Sequence, residues 1–223
     1  MPLKGPDGRA ERADGDPLVM EKFKTIFLVA GIILFIFSIL VMGVLPWLSF
    51  RNEPILTVEQ LSQKMTRDFV DLSERYPESF KKYYGEPSSA SYAKALDRGR
   101  KIYIAEACWH CHSQYVRPVS NEDKRFGPVS EALEYQNVLQ MPPLLGTRRV
   151  GPDLIREAGK RTNDWHAAHF YKPTSVVPTS VMPEYPWFFD KTGEPNEKGL
   201  AIITYIQWLG SWNEEAPVSK EAA

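Results

Sequence analysis

Two cysteines and a histidine share one short stretch of this chain, Cys108-Trp-His-Cys111-His112. Thiols at this spacing can each add across one vinyl group of a haem, and a histidine directly after the second thiol can then ligate the iron. The chain has two cysteines in all, too few for a disulfide framework, a four-thiolate zinc site or an iron–sulfur cluster. The pattern therefore predicts one covalently bound c-type haem.

A redox-active dithiol of the thioredoxin kind is the alternative use of such a pair of cysteines. That kind of site is typical of a strand–helix–strand environment. The sequence around Cys108 instead has helical and loop patterns with no alternating strand pattern. The haem interpretation is therefore favoured over a reactive or structural dithiol.

An uncharged run of 26 residues extends from Thr25 to Phe50. As a helix it would be about 39 Å long, enough to cross a hydrocarbon core of about 30 Å with some tilt or a frayed end near Pro46. A signal peptide has an apolar stretch of only about 7–15 residues and a small-residue cleavage site, and neither precedes Arg51. We therefore predict an uncleaved transmembrane anchor.

Basic residues flank this run unequally. Lys22 and Lys24 adjoin it on the N-terminal side, whereas Arg51 stands alone close to its other end. The positive-inside bias then places the N-terminus in the cytoplasm and everything after Phe50 outside it. This is the side on which haem is attached covalently, so we expect a single-pass protein of the inner (cell) membrane with a periplasmic or extracytoplasmic haem domain.

The length of 223 residues indicates one globular domain with additions, and the net charge of −1 gives no sign of a nucleic-acid partner. We expect five segments along the chain. They are a polar cytoplasmic tail (1–24), the transmembrane anchor (25–50), a connecting segment with an amphipathic helix (51–90), the haem domain (91–212) and a polar C-terminal tail (213–223).

The connecting segment carries an apolar stripe at helical spacing. The stripe consists of Leu61, Met65, Phe69, Leu72 and Tyr76, which predicts one helix from Val58 to Tyr76 ended by Pro77. We expect the stripe to cover its own haem domain, with docking on another subunit or on the membrane as alternatives.

Two longer helices are predicted to bound the haem domain. The first runs from about Ser91 to Ala107, and the second begins after Asn196 as N-cap and stops at Gly210. Gly99 lies inside the first helix, where glycine is destabilising unless the space is needed. We therefore expect the two helices to cross at Gly99, close to Tyr205.

The iron needs a sixth ligand or an open site. The candidates are His110, His166, His169, Met141 and Met182. His166 and His169 are three residues apart on a predicted short helix from Asp164 to Tyr171, a spacing that could suit a metal but is more often packing or surface. Met182 lies in a Pro-rich loop that can hold a thioether in place, and a methionine opposite the histidine leaves no site for substrate, as an electron carrier requires.

The order of these motifs resembles class I cytochrome c. More closely, the chain resembles the membrane-anchored monohaem cytochrome c subunit (subunit II) of cbb3-type cytochrome c oxidases. The resemblance implies a mainly α chain with a single N-terminal transmembrane helix followed by a class I cytochrome c-like domain. The stretches that carry it are CWHCHSQYVRP (108–118), RFGP (125–128) through RVGPDL (149–154), and DWHAAHFYKPTSVVPTSVMPEYPW (164–187).

Carried over to this sequence, the resemblance implies a set of site residues. Cys108 and Cys111 would be the thioether sites, with His112 and Met182 as axial ligands. The carbonyl of Pro152 would accept the N–H of the His112 ring. Trp165 would lie by a haem propionate, and Arg149, or its neighbour Arg148, would supply charge there.

The resemblance also implies a function. The chain would pass electrons from a soluble or anchored cytochrome c, through one haem, to a haem–copper catalytic subunit that reduces oxygen to water, and a dihaem cytochrome c subunit could join the complex. The sequence has neither a Walker loop nor an H-E-x-x-H motif, so we expect no bond-making chemistry in the chain itself. The alternatives are the small cytochrome c subunit of a nitric oxide reductase and an anchored cytochrome that senses ligands or assembles a complex.

Overall fold

The structure is a computed structural model that describes residues 17–212. The chain divides into two compact units, with the boundary between Glu53 and Pro54. The predicted C-terminal tail (213–223) and most of the predicted cytoplasmic tail (1–16 of 1–24) lie outside the described residues.

The first unit contains the predicted membrane segment. Its helix begins as α1 (Pro17–Ile39), passes through a π-helical turn (Leu40–Val44) and continues as α2 (Leu45–Phe50). Within residues 17–212, Met20–Phe50 is the one helix long and apolar enough to cross a membrane. Of the two ways in which this segment could fit a bilayer, tilt or a frayed end near Pro46, the structure shows no fraying there, since the helix continues to Phe50. Pro46 lies in the first turn of α2, directly after the π-helical turn, where a proline is tolerated.

The second unit is helical. Its described residues form two isolated β-bridges and no β-strand. The prediction of a mainly α chain with one N-terminal candidate transmembrane helix is therefore confirmed. The helices are α3 (Val58–Leu61), α4 (Arg67–Arg75), α5 (Pro77–Tyr84), α6 (Ser89–Ala105), α7 (Cys108–Cys111), α8 (Glu122–Phe126), α9 (Asn163–Tyr171) and α10 (Glu197–Trp208).

The prediction of one helix from Val58 to Tyr76 is wrong. The chain instead forms α3 and α4, separated by residues 62–66. Thr57 caps the start of α3 with its side chain, and Thr66 is the N-cap residue of α4. Pro77 does not end the structure there but starts α5, since a proline at the first position of a helix loses no hydrogen bond.

The apolar stripe nevertheless packs into the core of its own unit. Phe69 and Leu72 are each 1% exposed. The Phe69 ring lies 5.1 Å from that of Phe80 and 4.7 Å from that of Tyr92, centroid to centroid, so α4 is joined to both α5 and α6. Within the described residues, the stripe is therefore buried by the chain's own helices, as expected, and needs no second protein to cover it.

The crossing of α6 and α10 at Gly99 is confirmed. A Cβ atom added to Gly99 would lie 2.2 Å from the carbonyl oxygen of Ala201 and 2.5 Å from Cβ of Tyr205. The Asn196 side chain caps α10 by accepting the N–H groups of Lys198 and Gly199, as the sequence predicts. Glycine is therefore required at 99 because the two helix backbones are in contact there.

We predict that Gly99→Ala destabilises the fold by about 1–3 kcal/mol, and that Gly99→Val is worse because its branched side chain has fewer rotamers to escape the clash. Thermal denaturation of the full chain in detergent measures both. Ala90→Val is the matched control, since Ala90 is an exposed residue of the same helix and carries only the propensity cost of valine. Equal melting of the Gly99 variants and the parent would contradict the crossing.

Candidate haem site

The two cysteines and His112 come together on α7 and at its end. Helix α6 ends at Ala105, and Ala107 adopts a left-handed conformation with φ 57°, so the chain turns sharply into α7. Such a turn is uncommon for a residue other than glycine. It lets one short turn of helix carry both thiols and deliver His112 as the residue that follows.

The His112 ring is oriented by the backbone. Its Nδ1 lies 3.0 Å from the carbonyl oxygen of Pro152, and since a carbonyl can only accept, Nδ1 carries the proton and donates it. The lone pair is then on Nε2, the atom available to a metal. The hydroxyl of Tyr103 also donates to the backbone carbonyl of His112.

The His112 ring occupies the space where a side chain of residue 151 would lie, and Gly151 has none. A Cβ atom at 151 would lie 2.2 Å from Cε1 and 2.5 Å from Nδ1 of His112. The residue preceding Pro152 must therefore be glycine for the ring to reach the Pro152 carbonyl.

The environment of Cys108 does not suit a redox-active dithiol. The side chain is buried, and burial raises the pKa of its thiol to about 12, with Glu106 adding to the effect. Reactive cysteines of the thioredoxin kind have a lowered pKa, since the thiolate is the attacking species. The two cysteines also form no disulfide with each other.

The two methionine candidates differ in their surroundings. Met182 is partly buried and packs against the main hydrophobic core. Met141 is 46% exposed, and its carbonyl accepts a hydrogen bond from Arg100 of α6 at 2.8 Å. His110 stacks on Trp109 with the ring centroids 3.9 Å apart and lies on the outside of α7.

Helix α9 carries the remaining histidines. Burial lowers the pKa of His166 to about 3 and, together with the neighbouring His112, lowers that of His169 to about 4, so both rings are neutral at pH 7. Nε2 of His166 and Nδ1 of His169 are buried without a hydrogen-bond partner in the described residues. Residues 17–212 contain no group of three potential metal-ligating side chains, and nothing completes a separate metal site at this pair.

Trp165 stands on the same helix, half-buried. Its ring stacks on His169 with the centroids 4.6 Å apart, and the guanidinium of Arg161 lies 5.1 Å from its centroid. The positive charge beside Trp165 thus comes from Arg161, which the sequence analysis missed. Its position four residues before Trp165 was the available signal.

Arg149, the predicted source of charge near a propionate, is engaged by the protein itself. Its side chain is 7% exposed and pairs with Asp153, at 2.5 Å, and with Glu122. Its guanidinium is thus engaged by two carboxylates of the protein itself, which argues against its supplying charge to a haem propionate. Arg148, the other residue considered for that role, is exposed.

The residues present fit a c-type haem. Two free thiols lie at the sequence spacing that suits the two vinyl groups, and the Nε2 lone pair of His112, the next residue, is available. Gly151 has no side chain that would clash with the His112 ring. Two thiols followed directly by an imidazole are the attachment and ligation set of c-type haem proteins.

We predict that Gly151→Ala lowers the fraction of chain that carries haem, because the added methyl group displaces the His112 ring. The absorbance ratio of haem to protein in the purified full chain measures it. Gly159→Ala is the control, since Gly159 has a positive φ of 72° but nothing within 4 Å of the added atom. That variant should lose stability but keep its haem; equal haem loss in both would contradict a specific role of Gly151.

One comparison with known proteins gives a match. The family model described as "Cytochrome C oxidase, mono-heme subunit/FixO" matches residues 77–204. No curated protein matches the chain significantly. The match runs from the start of α5 into α10 and thus includes all the site residues described above, and its description implies one haem. The chain therefore belongs to the family of mono-haem subunits of cytochrome c oxidase.

Proposed function

We propose that this chain is the electron-transfer subunit of a cbb3-type oxidase, with one haem c bound covalently. The observation that carries the proposal is the geometry around His112. The motif places a histidine beside two free thiols, and the Pro152 carbonyl leaves its Nε2 available to iron. Membership of the mono-haem family supports the same cofactor.

The thiols of Cys108 and Cys111 would attach the haem. Each sulfur would bond to one vinyl carbon, and the thiol hydrogen would pass to the other carbon of the same vinyl group. When bound, the haem supplies one iron that changes between the ferric and ferrous states. The chain's own residues hold it, and they make or break no further bond.

His112 and Met182 are the proposed axial ligands. The partial burial of Met182 and its contact with the core support it as the distal ligand. Met141 is half exposed, and Arg100 holds its backbone against α6. A methionine ligand raises the reduction potential and closes the iron to substrate, which suits a carrier rather than a catalyst.

The proposed partners follow from the anchor and the family. The helix Met20–Phe50 would hold the chain in the inner membrane, with Lys22 and Lys24 on the cytoplasmic side and the haem domain in the periplasm. Electrons would arrive from a reduced cytochrome c and pass to the haem–copper catalytic subunit that reduces oxygen, with a dihaem subunit as an additional member of the complex.

We predict that Met182→Ala abolishes the weak near-infrared band of a sulfur–iron bond and lowers the reduction potential. The reason is that a thioether stabilises ferrous iron more than the water or nitrogen ligand that would replace it. Met141→Ala is the control and should change neither the band nor the potential. The reverse result would show that the loop carrying Met141 supplies the distal ligand.

The function itself is tested on the complex purified through this chain. We expect haem that acidified acetone does not extract from this chain, copper and high-spin haem in a copurifying partner, and oxygen uptake driven by reduced cytochrome c. A Cys108→Ala/Cys111→Ala variant should lose covalent haem and this uptake. A partner with non-haem iron in place of copper would instead indicate a nitric oxide reductase, and extractable haem would contradict the proposed attachment.

A further inference from the structure

A short loop positions the carbonyl that orients His112. We call residues 149–154 the proline strap. The strap crosses the segment that contains the haem motif, where the N–H of Gly151 donates to the carbonyl of Cys111 at 3.1 Å and the N–H of Leu154 donates to that of Ser113 at 3.0 Å. Pro152 lies between these two bonds, directly against His112.

Buried ion pairs hold this strap at both ends. Arg149 begins it and Asp153 lies near its end, with Arg149 Nη1 and Asp153 Oδ2 2.5 Å apart. Arg149 also pairs with Glu122 of α8. Asp153 in turn accepts the backbone N–H of Tyr115 at 3.0 Å, which ties the strap to the segment after the motif.

Every nitrogen of the Arg149 guanidinium is engaged by a protein acceptor. Nε donates to Glu122, Nη1 to Asp153, and Nη2 to Glu122 and the carbonyl of Tyr115. Its backbone φ of 50° is in the left-handed region that disfavours a side chain. The ion pairs therefore stabilise a strained backbone at the start of the strap.

Glu122 is charged in this arrangement. Burial raises the pKa of Glu122, but hydrogen bonds from Arg117 and Arg149 outweigh it and lower that pKa to about 2. At Asp153 burial is the larger effect and raises the pKa, while the hydrogen bond from Arg149 opposes it. Arg117 donates to Glu122 from its backbone N–H as well, at 2.9 Å. Four side chains, Arg117, Glu122, Arg149 and Asp153, thus link the strap, α8 and the segment after the motif.

We propose that Arg149 is a positioning residue for the haem: its ion pairs with Glu122 and Asp153 hold the Pro152 carbonyl on the His112 ring. The proposal rests on the proposed function, since it concerns the haem that His112 would ligate. An acceptor on Nδ1–H makes the imidazole a better electron donor, which favours ferric iron and lowers the potential. Weakening that bond should therefore raise the potential.

The test uses two variants of the haem-loaded full chain in detergent that leave the total charge unchanged. Arg149→Lys keeps the charge but cannot donate to both carboxylates in the forked geometry of arginine. Arg149→Met/Glu122→Gln removes one positive and one negative charge together. We expect both to shift the midpoint potential upwards, and the Nδ1 proton of His112, followed by NMR of the reduced chain with ¹⁵N-labelled histidine, to exchange faster.

A second buried ion pair gives the matched control. Arg156 and Glu134 are 2.5 Å apart with side chains 12% and 3% exposed, and Arg156 donates to the carbonyl of Pro128 rather than to the motif segment. Arg156→Met/Glu134→Gln should lower stability but leave the potential and the Nδ1 exchange rate at the parent values.

Other outcomes would overturn the proposal. Parent values of potential and exchange in both Arg149 variants would show that the strap holds its position without Arg149. An equal shift in the Arg156 control would show a general loss of packing. A parent chain without covalent, redox-active haem would contradict the proposed function instead, and the spectrum of the parent separates the two failures.

Discussion

The backbone contact between α6 and α10 at Gly99 is the constraint on which the haem domain depends. Helix α6 leads directly into the turn at Ala107 that starts the haem motif. From α10, the hydroxyl of Tyr205 lies 3.1 Å from the side-chain oxygen of Gln114 and 3.3 Å from the carbonyl oxygen of Leu139, so its single proton is shared between these two acceptors. The crossing therefore sets the place of α7 and of the loops on either side of it.

Long loops on this helical frame are held by polar contacts rather than by regular structure. The Gln114 N–H donates to the carbonyl of Leu144 at 2.9 Å, and Arg100 reaches from α6 to the carbonyls of Leu139 and Met141. The ion pairs of the proline strap also hold loops together. Burying a charge is costly unless it is paired, and Glu122 and Asp153 each pair with Arg149. Other arrangements of these loops would break those pairs, so the pairs favour one loop arrangement.

This arrangement suits an electron carrier. The proposed ligand His112 directly follows α7, its backbone carbonyl accepts a hydrogen bond from Tyr103 of α6, and its ring nitrogen has a fixed acceptor in the proline strap. Helices α3 to α5, between Val58 and Tyr84, add side chains such as Phe69 and Phe80 to the main hydrophobic core. They form part of the second unit, so the unit that would carry the haem begins at Pro54 in the chain.

The sequence by itself determined the features that depend on neighbouring residues: the uncharged helix, the Cys-x-x-Cys-His motif, the Asn196 cap and the short helix that ends at Tyr171. It also indicated the crossing, because a glycine inside a helix needs a neighbour to explain it. The tertiary structure decided the break between α3 and α4 and the contacts of Arg149. A periodic apolar stripe does not show where a helix turns to reach the core, and the carboxylates that engage Arg149 include Glu122, 27 residues away in the chain. Pairings over that distance arise from packing, which no local pattern records.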